Sequence, residues 1–136
     1  MKKLVFILSL FFIASNALLA QDEGDERIRD KMSEYIQQRM NLNKVEAEKF
    51  SPVFLRYFKE WRNTLRENRT DKLILQQKVV ELRLRYRTEF RDIIGEKRSN
   101  DVFGHQDKFI RELKTIRMER TQRQGVKSRI RNLSFE

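Results

Sequence analysis

Seven apolar residues in the middle of the chain, Phe50, Val53, Phe54, Tyr57, Phe58, Trp61 and Leu65, fall at offsets 0, 3, 4, 7, 8, 11 and 15. Only a helix of 3.6 residues per turn gathers that spacing onto one face. A stripe this long must be covered by other elements, and the chain offers little from which to build strands: one proline and four glycines in 136 residues are too few turn formers for a sandwich or barrel. The length fits one domain, since domains run to roughly 100–200 residues. The fold class is therefore all-α. Pro52 lies inside the stripe, so the helix either kinks there or is restarted by Ser51 as a cap with Pro52 in its first turn.

The same periodicity marks three more helices. A first, about Asp25 to Met40, carries Ile28, Met32, Tyr35, Ile36 and Met40, with Asp22, Glu23, Asp25 and Glu26 where the positive end of its dipole favours acids. Asn43 and Glu46 then form a capping-box pair for the striped helix, about Lys44 to Asn68. After the polar turn Glu67 to Asp71, Thr70 or Asp71 caps a third helix reaching about Ile94. Its apolar residues fall on two faces, one through Leu75, Val79, Leu82, Tyr86, Phe90 and Ile93, the other through Leu73, Val80 and Leu84. Either a single wide face is buried or the second face meets another chain. Gly95 interrupts the pattern, and a fourth helix, about Glu96 to Thr121, presents Val102, Phe103, Phe109, Ile110, Leu113 and Ile116. Gln122 to Glu136 reads as a polar, basic tail in which Val126, Ile130 and Leu133 keep a helical spacing. About four helices in long hairpins result.

The first twenty residues have another purpose. Met1-Lys2-Lys3 is positive, Leu4 to Ala14 is apolar apart from Ser9, and small residues follow at Ser15, Ala17 and Ala20. This is the layout of an export signal, with cleavage expected after Ala20 and Ser15-Asn16-Ala17 as an alternative site. The apolar run falls short of the roughly 18–20 residues that span a membrane. The expected organisation is a signal peptide over 1–20, a helical domain over 21–122 and a basic tail over 123–136. From Gln21 onward 116 residues carry 28 Lys and Arg against 20 Asp and Glu, a net charge of +8. With no cysteine, neither a disulfide nor a lipid on a cysteine is available, and packing alone must hold the fold.

Little in the sequence suggests covalent chemistry. There is no Gly-rich phosphate loop, nucleophile elbow or paired Cys/His motif, and the single histidine, His105, would need carboxylates to complete a zinc site. The reading is therefore not an enzyme, with no cofactor and no metal. The charge is uneven instead: residues 21–50 sum to −2, 51–107 to +4 and 108–136 to +6. Arg83, Arg87 and Arg91 align at four-residue spacing, and Arg111, Lys114, Arg117, Arg120 and Arg123 follow at three-residue steps. Such surfaces steer acidic partners or simply keep the chain soluble. For an exported protein those partners are acidic or unfolded polypeptides and, weakly, anionic membrane surfaces, with nucleic acid not expected. The aromatics Phe50, Phe54, Tyr57, Phe58 and Trp61 are core, or a platform for apolar client segments.

Several of these segments resemble the Spy/CpxP-like family of helical periplasmic proteins. Met40-Asn41-Leu42-Asn43-Lys44-Val45-Glu46-Ala47 stands where that family has its LTxxQ motif, with Leu42 matching, Asn43 in place of threonine and Glu46 in place of glutamine. Phe50-Ser51-Pro52 followed by Tyr57 is similar to a signature of the branch described as sensors of extracytoplasmic-function sigma factors. Tyr86 to Ile94 and Phe109 to Leu113 are close to the two C-terminal helices, and Ile94-Gly95-Glu96-Lys97-Arg98 keeps only the apolar residue of a second motif copy. The resemblance covers roughly Ile28 to Arg120. It implies a periplasmic, ATP-independent chaperone-like or envelope-stress protein, built as an antiparallel, cradle-shaped homodimer. A dedicated regulator docking on a periplasmic signalling domain is the alternative. The histidine-rich segments of metal-responsive members have no counterpart here.

Overall fold

The computed structural model describes residues 24–133, and among these every regular element is helical. The expected signal peptide, with Asp22 and Glu23, lies outside them. Helix α1 spans residues 24–39, α2 Lys44–Glu67, α3 Lys72–Ile94 and α4 Glu96–Leu133. Among the described residues, no helix is long and apolar enough to cross a membrane.

The starts of the helices follow local chemistry. Asn43 caps α2, its side chain accepting from the Glu46 N–H at 2.9 Å while the Glu46 carboxylate accepts from the Asn43 N–H at 3.1 Å. Asp71 caps α3 by accepting from the N–H groups of Leu73 and Ile74. At Gly95 the backbone takes φ +83°, a left-handed value that glycine adopts without steric cost, and α4 begins at the next residue. The helix α2 passes through Pro52 without interruption, so Ser51 does not restart it; the Ser51 hydroxyl donates to the Ala47 carbonyl one turn back.

Successive helices run antiparallel. Arg62 reaches Asp25 across α1 and α2, Arg56 pairs with Glu89 across α2 and α3, and Arg83 with Asp107 across α3 and α4. Between them lies one core built on the α2 stripe: Phe50, Phe54, Tyr57, Phe58 and Trp61 meet Met32, Ile36 and Met40 of the α1 segment, Leu82, Tyr86, Phe90 and Ile94 of α3, and Val102 and Phe103 of α4. Aromatic rings carry it, with Phe50 stacked 5.0 Å from Phe90 and 5.6 Å from Phe54. Tyr57 is met edge-on by Tyr86 at 5.3 Å and by Phe103 at 5.4 Å. Pairs at these separations add roughly 0.5–1.5 kcal/mol each beyond the area they bury.

The largest difference from the sequence reading is at the end of α4. The basic tail expected over 123–136 is helical as far as Leu133, so α4 has 38 residues and is about 57 Å long at 1.5 Å per residue. Gly125 does not end it, because a helical glycine costs only about 1 kcal/mol relative to alanine. From residue 114 to residue 131 every side chain of α4 is exposed. This half of the helix projects as an arm.

Candidate interaction surface

The aromatic stripe is not a platform. Phe50, Phe54, Tyr57, Phe58 and Trp61 are all buried, because α1, α3 and α4 close over them. The expectation that they meet a client directly is therefore corrected: their area is taken by the chain's own fold.

Arg83, read as one of a row of three, also turns inward. Its guanidinium lies 5.4 Å over the Phe103 ring and donates to both oxygens of Asp107, at 2.5 and 3.2 Å. It also donates to Gln106 Oε1 at 3.3 Å, the same oxygen that accepts the Tyr57 hydroxyl at 2.5 Å. Burial pushes the Tyr57 hydroxyl pKa up, so it stays protonated as the donor. Gln106 is fully buried and its Nε2 has no partner, as has Arg83 Nε. Ser99, also buried, donates to the Glu96 carbonyl at 2.8 Å. Sequence reasoning missed both buried polar residues, although Ser99, Val102, Phe103 and Gln106 stand at offsets 0, 3, 4 and 7 and so share one face.

The motif residues are structural as well. Leu42 is half-buried against the core, and Asn43 and Glu46 make the α2 cap. Arg98 at the start of α4 then grips both oxygens of Glu46, which ties the α1–α2 turn to the α3–α4 turn at the same end of the bundle. This pairing, with the Asn43 N–H, holds the Glu46 carboxyl below its ordinary value of 4.5. Glu60 is lowered likewise, first by the Tyr86 hydroxyl that donates to it at 2.6 Å and then by Arg85.

What remains at the surface is the other face of α3. Leu73, Val80 and Leu84 are 76%, 55% and 49% exposed. Steps of seven and four residues align them on one side of the helix over about 16 Å. Arg87 and Arg91, both exposed, continue the row, and Arg91 stands 3.7 Å from Glu96. Arg111, Lys114 and Arg117 lie exposed on α4. Of the basic residues expected at the binding surface, Arg83 thus braces the bundle, and Arg87, Arg91, Arg111, Lys114 and Arg117 face solvent.

An open groove of about 420 Å³ between α1 and α2 is also basic, but its arginines are largely engaged: Arg62 on Asp25, Arg56 on Glu89 and Arg29 on Asp30. His105 is half-buried, and among the described residues no group of three His, Asp or Glu is arranged to hold a metal ion. Comparisons of the chain with family models, with curated proteins and with solved structures find no match.

Proposed function

We propose that the chain is an exported helical protein that holds polypeptide segments without turnover, as an ATP-independent, chaperone-like binding protein of the periplasm. One observation carries this reading: the outward row of α3, in which Leu73, Val80 and Leu84 are exposed and Arg87 and Arg91 follow. Single exposed apolar residues are ordinary on a protein surface, but three in register on one helix face form a strip that an amphipathic segment can cover. The two guanidinium groups beside it favour segments that carry acids, raising the rate of capture more than the final affinity. The resemblance to the Spy/CpxP-like family points the same way, and with it a cradle-shaped homodimer.

The test is suppression of aggregation of a chemically denatured client at low salt, comparing wild type with the triple variant Leu73→Ser, Val80→Ser, Leu84→Ser. Wild type is expected to suppress and the variant to lose most of the effect, with its melting temperature unchanged. A wild-type chain that suppresses no client overturns the reading and favours a dedicated regulator with a single saturable partner. A dimer that the triple variant splits, with suppression intact, assigns the row to a second copy instead.

A further inference from the structure

The helix α4 changes character after Leu113. From Glu96 to Leu113 it carries four Lys or Arg against four Asp or Glu. Several of these act within the bundle: Arg98 holds Glu46, Asp107 holds Arg83, and Glu112 accepts from the Tyr35 hydroxyl at 3.3 Å. From residue 114 to residue 131 there are seven Lys or Arg and a single acid, Glu119, a net charge of +6 on 18 residues. All of these side chains are exposed, and among the described residues none of the seven cations pairs with a carboxylate.

Their order is as telling as their number. Arg117, Arg120, Arg123, Lys127 and Arg131 follow at steps of three, three, four and four, which keeps them on one face. Like charges at these spacings repel along a helix, so the arm would gain from an anionic surface laid against it. Val126 and Ile130 run beside that face, exposed to 55% and 58%, and Ile116, exposed to 46%, stands within it. A cationic face edged with aliphatic side chains is the form of a helix lying in the headgroup layer of an anionic bilayer, the cations over phosphates and the aliphatics at the acyl boundary. A phosphodiester backbone would use the cations but leave the aliphatic edge without a partner.

We infer that the projecting half of α4 is a membrane-surface anchor that binds anionic phospholipid headgroups through Arg117, Arg120, Arg123, Lys127 and Arg131, with Ile116, Val126 and Ile130 entering the interface. The residues of this site are distinct from those of the α3 row.

The experiment is co-sedimentation of residues 21–136 with phosphatidylcholine vesicles, with and without phosphatidylglycerol, at low and high salt. Binding is expected only to the anionic vesicles and is expected to weaken steeply with salt. The variant Arg120→Glu, Arg123→Glu, Lys127→Glu should bind at least about 100-fold more weakly, since each basic residue at an anionic surface is worth about fivefold. Val126→Ser with Ile130→Ser should lose about tenfold or more. Both variants should keep the wild-type melting temperature, and the α3 triple variant should keep wild-type vesicle binding. Equal binding to neutral and anionic vesicles, or charge reversal without effect, overturns the inference. So does binding to heparin with none to vesicles.

Discussion

The two halves of α4 are built on one continuous backbone, yet they belong to different environments. Between Glu96 and Leu113 the helix buries Ser99, Val102, Phe103 and Gln106 and sets Arg98, Asp107 and Glu112 against partners on α2, α3 and α1. Beyond Leu113 no described side chain is buried and the charge rises from zero to +6. A helix in water needs an apolar face to be held in place. Here the first half has such a face and the second has cations in its stead, so the first carries the fold and the second is left for something outside it. The helix α3 repeats the contrast sideways, with Leu82, Tyr86 and Phe90 in the core and Leu73, Val80 and Leu84 in solvent.

The contrast breaks or sharpens under substitution. Phe50→Ala should cost about 3–5 kcal/mol in chemical denaturation, because Phe50 is fully buried and stacked on both Phe54 and Phe90. Val80→Ala on the outer face of α3 should stay within about 0.5 kcal/mol of wild type. Equal costs would mean that the outer face is packed after all. Tyr57→Phe comes next, at about 1–3 kcal/mol, because it leaves the buried Gln106 carbonyl with only the longer Arg83 contact. Combined with Gln106→Leu the loss should shrink, which a double-mutant cycle measures. Asn43→Ala should cost about 1 kcal/mol through the lost cap.

The bundle also sets the pH limits of the fold. The Tyr86 hydroxyl is pushed up to about 12, first by burial and then by the Glu60 carboxylate that accepts its hydrogen bond. The unfolded chain ionises near 10. The folded state therefore keeps this contribution below about 10 and loses it as pH rises through 12, a limb of the stability curve that Tyr86→Phe should flatten. Glu46 and Glu60 act at the other end: held below 4.5, they contribute fully above that value, and stability falls as pH drops through their lowered pKa values. Removal of residues 119–136 should have the smallest effect of all, leaving the melting temperature and both pH limbs unchanged.

Much of this architecture is legible in the residues, and the limits follow from range. Caps are local, so Asn43, Glu46 and Asp71 announce their helices within three or four positions. The α2 stripe announces a buried face because only burial explains seven apolar residues in register. What covers that face depends on contacts across 30 to 50 residues, and there the aromatic platform gives way to a closed core. Arg83 illustrates the same limit: in sequence it matches Arg87 and Arg91, and only Asp107, 24 residues later, draws it inward. The arm is obscured for the opposite reason, since a polar, basic composition reads as a tail although it does not forbid a helix.

The division of α4 into a half that holds the fold and a half that does not can be measured amide by amide with hydrogen exchange on residues 21–136 in solution. Amides from about Val102 to Ile110 should open only with global unfolding, at the free energy found by denaturation, while those from Met118 to Arg131 should exchange with little protection. Protection of the arm equal to that of the core, in the isolated protein without lipid or client, would contradict the division.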